Sequence, residues 1–96
     1  MTKYSVDLSG IEPGDELHER LAQVFAFPGY YGRNWDAFDE CIADLAPPVS
    51  ILVTGFESLR FALPREAKLF AKCLRGAADE AAPGEFKFSG VPWTGH

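Results

Sequence analysis

Three carboxylates near the middle of the sequence have a spacing that could support chemistry. Asp36, Asp39 and Glu40 are three and four residues apart, so they share one stripe if this stretch is helical. Carboxylates arranged in this way can pair with cationic side chains or chelate a hard metal ion. Two of them can also act together as a general acid and base.

A helix beginning at Trp35 is the element that would position these acids. An apolar stripe recurs at helical spacing on the opposite side and consists of Phe38, Cys41, Ile42 and Leu45. Asn34 is a good helix cap, and Gly32 is a loop residue that adopts positive φ without strain. The pattern predicts a loop that leads into a helix with one buried and one acidic side.

The acidic stripe has two alternative interpretations. Charged stripes on amphipathic helices are usually solvated surfaces. This one, however, lacks the lysines that commonly alternate with acids on such surfaces. It also lies beside Tyr30, Tyr31 and Trp35, which are of the residue types that anchor protein interfaces but could equally pack at the helix entry.

An enzyme or metal site is a further alternative. Asp36 and Glu40 are four residues apart and could bind a hard cation. The sequence has no glycine-rich phosphate loop, and neither Cys41 nor Cys73 has a histidine near it in sequence. We therefore predict no enzymatic activity, no cofactor and no metal site.

The stretch 30–42, YYGRNWDAFDECI, resembles the signature of the barstar family, the intracellular inhibitors of barnase-type ribonucleases. Less specific similarity extends over most of the chain, from Lys3 to Phe88. The resemblance implies three parallel strands with helices packed on them. It also implies an inhibitor that occupies the ribonuclease active site without catalysing a reaction.

The resemblance assigns partner-binding roles to several residues of the motif. Tyr30 matches a contact tyrosine of the family, and Gly32 and Asn34 match loop positions at its interface. Asp36 matches an interface aspartate. Glu40 stands where the family prototype has its dominant aspartate, with the same charge on a side chain one methylene longer.

Other positions depart from the family pattern. Asp39 and Leu45 stand where the prototype has tryptophans, and Trp35 occupies an aliphatic position and could replace part of that contact. Gly76 replaces a contact glutamate, for which Asp79 or Glu80 could substitute. These departures concern the identity of the target more than the class of function.

Composition narrows the class of protein. The chain has 96 residues, enough for one domain with a modest core, and no apolar run approaches the ~20 residues that span a bilayer. The formal net charge of −5 argues against direct binding of nucleic acid and suits a basic protein partner. We expect a cytoplasmic protein, in which Cys41 and Cys73 are small buried residues rather than a disulfide.

The order of elements predicts the fold class. Strand patterns at Tyr4 to Leu8, Ser50 to Thr54 and Phe86 to Phe88 alternate with four helical segments, the last of which begins at Pro64. Strands separated by helices indicate an α/β fold with a small three-stranded parallel sheet. The nearly continuous apolar run of the second strand predicts burial on both faces. We assign residues 1–90 to a single domain and 91–96 to a C-terminal tail.

These observations give one hypothesis and two alternatives from other classes. The hypothesis is a cytoplasmic inhibitor, monomeric when free, that binds a basic, extracellular-type ribonuclease through Tyr30, Gly32, Asn34, Trp35, Asp36, Asp39 and Glu40. The first alternative is an adaptor of the same fold that binds another basic protein. The second is a metal-dependent enzyme built on Asp36, Asp39 and Glu40.

Overall fold

A computed structural model describes residues 2–11 and 17–92 of the chain. Within these ranges the chain forms three strands and four helices, in the predicted order. The elements are β1 (Thr2–Asp7), α1 (Leu17–Phe25), α2 (Trp35–Ala43), β2 (Val49–Thr54), α3 (Phe56–Ala62), α4 (Pro64–Glu80) and β3 (Phe86–Ser89). None of the described helices is long and apolar enough to cross a bilayer.

The three strands form one parallel sheet in the order β1-β2-β3. Parallel neighbours cannot be joined by a tight hairpin, so α1 and α2 connect the first pair of strands, and α3 and α4 connect the second. The predicted α/β class and the three-stranded parallel sheet are therefore confirmed.

The prediction that β2 is buried on both faces is wrong. Ile51 and Val53 are buried, but Leu52 between them is 50% exposed. Leu52 lies in register with Ser5 of β1 and Ser89 of β3, and both serines are also exposed. The helices cover only the opposite face of the sheet, so an apolar residue of the run remains on the open face.

The core lies between the covered face of the sheet and the helices. Phe38 of α2 is fully buried, and its ring centroid lies 5.8 Å from that of Phe70 on α4 and 6.1 Å from that of Phe25 on α1. Such aromatic pairs add to the free energy gained by burial. They fix α2 between α1 and α4 with its apolar side inward.

Local sequence signals account for α1. Leu17, Leu21 and Phe25 are buried at helical spacing, and the helix ends before Pro28, which disfavours helical geometry in the residue preceding it. Asp15, a residue of the type that caps helix N-termini, lies outside the described residues.

Near the C-terminus the described chain rests on the sheet. Val91 is half-buried against the core, and Gly90 has φ +85°, where a Cβ would lie 1.8 Å from the Val53 carbonyl oxygen. Only glycine allows this close approach. The first residue of the predicted tail 91–96 thus packs on the domain, and residues 93–96 lie outside the described residues.

Candidate functional site

The loop before α2 is organised around Asn34. Its side-chain oxygen accepts a hydrogen bond of 2.8 Å from the Ala37 N–H, and its side-chain amide donates one of 3.2 Å to the Gly32 carbonyl. The predicted cap is therefore present. The positive φ expected at Gly32 occurs instead at Arg33, with φ 53°. At Gly32 the absence of a side chain leaves room for the Asn34 side-chain amide, because a Cβ there would lie 3.3 Å from it.

Replacing Asn34 by alanine is expected to destabilise the protein by about 1 kcal/mol, because the Ala37 N–H would lose its acceptor. The midpoint of urea unfolding measures this loss. Asn34→Asp is the matched control, since it keeps an acceptor oxygen and adds a charge that the helix N-terminus favours. Equal stability of Asn34→Ala and the native protein would mean that this cap contributes nothing.

The three carboxylates form an exposed surface of α2, here called the acidic face and defined by Asp36, Asp39 and Glu40. Phe38 and Ile42 are buried on the other side of the helix, as the spacing predicts. None of the three carboxylates forms an ion pair with another described residue. Their charges are therefore free to interact with a partner.

Asp44 extends this surface and was missed in the sequence analysis. It is exposed and follows Glu40 by one helical turn, and its N–H caps the helix by donating to the Glu40 and Cys41 carbonyls. Its spacing from Glu40 was the signal that could have identified it.

The two tyrosines of the motif have different environments. Tyr30 is 85% exposed, whereas Tyr31 is only 7% exposed and its hydroxyl lies 2.6 Å from Nδ1 of His18. Burial raises the pKa of Tyr31 far above its usual range. Tyr30 is therefore the tyrosine available to a partner, and it borders a cleft of about 180 Å³ that Asp44 also lines.

Trp35 is held within the protein. Its indole N–H donates a hydrogen bond of 2.6 Å to Glu66 on α4, and its ring packs edge-on against His18 at 4.5 Å. The side chain is half-buried and links α2 to its neighbours. The indole N–H already has a hydrogen-bond acceptor in Glu66, so a partner would contact only the exposed part of the ring.

Cys41 and Cys73 are both free thiols. Burial raises the pKa of Cys73 to about 11, and the negative charges of Asp39 and Asp36 contribute further. Burial also raises the pKa of Cys41, with smaller contributions from Asp44 and Glu40. These thiols are poor nucleophiles near neutral pH, since the thiolate is the reactive form.

Cys73 is expected to react with a disulfide reagent much more slowly in the folded than in the unfolded protein. At about pH 8 a thiol with a pKa of about 11 is roughly 0.1% thiolate, against roughly 10% at the ordinary value of 9.0. Its rate should therefore keep rising well above pH 9. The Cys41→Ser and Cys73→Ser variants each keep one of the two thiols, so comparing them assigns a labelling rate to each cysteine. Fast labelling of Cys73 in the folded protein would contradict this prediction.

Among residues 2–11 and 17–92, no group of three or more histidine, cysteine or acidic side chains is arranged to hold a metal ion. The carboxylates of the acidic face point outward from one helix and do not converge. The metal-dependent alternative therefore gains no support from this geometry.

Comparison with known proteins identifies the family. The family profile described as "Barstar (barnase inhibitor)" matches residues 1–91. The chain belongs to the barstar family. It is also 34% identical over 58 residues to the protein named "Putative ribonuclease inhibitor YrdF" of Bacillus subtilis (strain 168). That alignment covers 59% of this chain and 64% of the relative, which is less than two thirds of the relative's length.

The end of α4 contains Gly76, the position at which the resemblance described above implies a contact glutamate. A Cβ at Gly76 would meet open space, so nothing in the described packing requires glycine there. Asp79 and Glu80 are both exposed, but only Glu80 lines a cleft together with Ala43 of α2. Of the two acids that could substitute, Glu80 is the one on the α2 side.

Proposed function

We propose that this protein inhibits a basic, extracellular-type ribonuclease related to barnase by inserting the acidic face of α2 into the active-site cleft of the enzyme. The observation that carries the proposal is a set of three exposed carboxylates on a helix whose other side is fixed in the core, and none of the three is paired with a cation in the described part of the chain. Family membership and the name of the Bacillus relative support the same class of function.

The mechanism is mimicry of an RNA phosphate chain. An enzyme that binds RNA neutralises phosphates with lysine and arginine. Arginine and lysine pair with carboxylates much as they do with phosphates, so Asp36, Asp39 and Glu40 compete with substrate for the same groups. Tyr30, beside the helix entry, would cover the rim of the cleft and exclude water from these pairs. No bond is made or broken by the inhibitor.

Charge would also accelerate association. The net charge of −5 attracts a basic enzyme, and oriented charges raise association rates when salt is low. We propose that the inhibitor is monomeric when free and acts in the cytoplasm, where two unbridged cysteines are expected.

Titration into barnase tests the proposal directly. Cleavage of an RNA substrate should fall linearly and stop at one equivalent of inhibitor, and the association rate constant should fall as salt is raised. Serum albumin, an acidic protein without this helix, is the control for nonspecific electrostatic binding to the basic ribonuclease. Binding without loss of cleavage would instead favour an adaptor for basic proteins, and absence of both would exclude barnase as a target.

A further inference from the structure

An ion pair connects the loop before α2 to the first helix. Arg33 of the loop pairs with Glu19 of α1, with 2.5 Å between a guanidinium nitrogen and a carboxylate oxygen. The two side chains are about half exposed, so the pair lies at the surface. It ties α1 to the segment that carries Tyr30, Gly32 and Asn34, which are predicted to contact a partner.

The backbone at Arg33 is in a conformation that side chains disfavour. Its φ of 53° lies in the left-handed region, which glycine would adopt without strain. A residue other than glycine persists in this region only where the surrounding structure holds it, and such positions are common in segments that clamp a ligand. The ion pair with Glu19 is one contact that holds Arg33, and a glycine could not make it.

Packing and the ion pair hold the loop at different points. Tyr31 is buried, and its hydroxyl lies 2.6 Å from Nδ1 of His18 on α1. A cleft of about 320 Å³ lies between α1 and the loop, and its lining includes Gln23, Pro28 and both members of the ion pair. The ion pair therefore joins helix and loop beside a space that side chains do not fill.

Exposure alternates along this loop. Tyr30, Gly32 and Asn34 are exposed, whereas Tyr31 between them is buried and the Arg33 side chain is paired with α1. Tying every second residue to the same helix presents the intervening residues in one arrangement. Groups that are fixed before binding lose less conformational freedom in the complex, which favours affinity.

We propose that the Glu19–Arg33 ion pair is a clamp that holds loop 30–34 in the arrangement that binds the ribonuclease. Glu19 and Arg33 are then positioning residues, which act through Tyr30, Gly32 and Asn34. The proposal rests on the proposed function for the identity of the partner. Loss of the clamp should appear mainly in the dissociation rate, where most changes within one interface appear.

The kinetics of binding to barnase test the clamp, because charge alone predicts a different pattern. Arg33→Gln makes the chain more acidic and would strengthen binding to a basic enzyme, whereas Glu19→Gln would weaken it. Loss of the clamp should instead raise the dissociation rate constant by about twofold to fivefold in both variants. The double variant keeps the net charge and should have no larger effect than either single change. Effects of opposite sign, or no effect, on the dissociation rate constant would overturn the proposal.

Glu57→Gln is the matched control. Glu57 forms an exposed ion pair with Arg60 within α3, so this variant also removes one negative charge and breaks one surface ion pair. It leaves the loop unchanged and should alter the dissociation rate constant by less than about 1.5-fold. An effect as large as that of Glu19→Gln would overturn the clamp.

A measurement without ribonuclease separates failure of the clamp from failure of the proposed function. In free Arg33→Gln and Glu19→Gln, the backbone NMR order parameters of Gly32 and Asn34 should fall from about 0.85, typical of rigid backbone, towards about 0.6. Glu57→Gln should leave them unchanged. Unchanged order in the first two variants would overturn the clamp even if barnase is inhibited. Reduced order, without inhibition of barnase by the native protein, would support the clamp and reject barnase as the partner.

Discussion

Replacing Asp36 and Glu40 together by alanine is expected to weaken ribonuclease inhibition by about a thousandfold or more. Each carboxylate would pair with a cationic group inside a cleft from which water is excluded, where truncating one partner costs about 2–5 kcal/mol. About 1.4 kcal/mol corresponds to a tenfold change in affinity, so the two losses reach or exceed this factor. The inhibition constant for barnase measures the effect.

The same double variant is expected to remain folded. Asp36 and Glu40 are exposed and have no ionic partner among residues 2–11 and 17–92. They stand one helical turn apart, where like charges repel by a few tenths of a kcal/mol. Their removal therefore relieves repulsion in the free protein, and this offsets the loss of an acid in the first turn of α2. Thermal unfolding of the free variant should differ little from that of the native protein.

A charge-matched control separates the acidic face from net charge. Glu57→Gln with Asp7→Asn removes the same number of negative charges from α3 and from the end of β1, and both side chains are exposed. This control should slow association slightly and leave the affinity nearly unchanged. If it weakens inhibition as much as Asp36→Ala with Glu40→Ala, inhibition depends on net charge rather than on the acidic face.

The fold was predictable where local signals agree. The spacing of Phe38 and Ile42, the cap residue Asn34 and the proline at the start of α4 all belong to short stretches whose structure follows from neighbouring residues. The open face of the sheet was not predictable in this way. Leu52 continues an apolar run, and whether a helix covers it depends on how distant elements pack.

The candidate site shows the same division between local and distant determinants. Exposure of the acidic face followed from helical periodicity. The environments of Tyr31 and Trp35 did not, because their polar atoms are satisfied by His18 and Glu66, which are 13 and 31 residues away in sequence. The cleft that Ala43 and Glu80 line at the ends of α2 and α4 was also not predictable from the sequence, because its lining residues come from separate parts of the chain.

The rigidity of the acidic face depends on the aromatic residue beneath it. Phe38 lies between Asp36 and Glu40 in sequence but points into the core, with its ring centroid 5.3 Å from that of Trp35 and 5.9 Å from that of Phe27. Carboxylates held by a fixed helix lose little conformational freedom on binding, which favours affinity. If the acidic face binds a ribonuclease as proposed, the packing of Phe38 supports that binding although the buried ring cannot contact a partner.

Replacing Phe38 by alanine is expected to reduce the free energy of unfolding by about 3–5 kcal/mol, because a fully buried ring is exchanged for a cavity. Small domains have only about 5–15 kcal/mol of stability, so the loss is a large part of the total. Urea unfolding measures it. Phe61→Ala is the matched control, since Phe61 is 92% exposed and its loss should change stability by less than about 0.5 kcal/mol. Similar losses for the two variants would contradict the packing of α2 on which the acidic face depends.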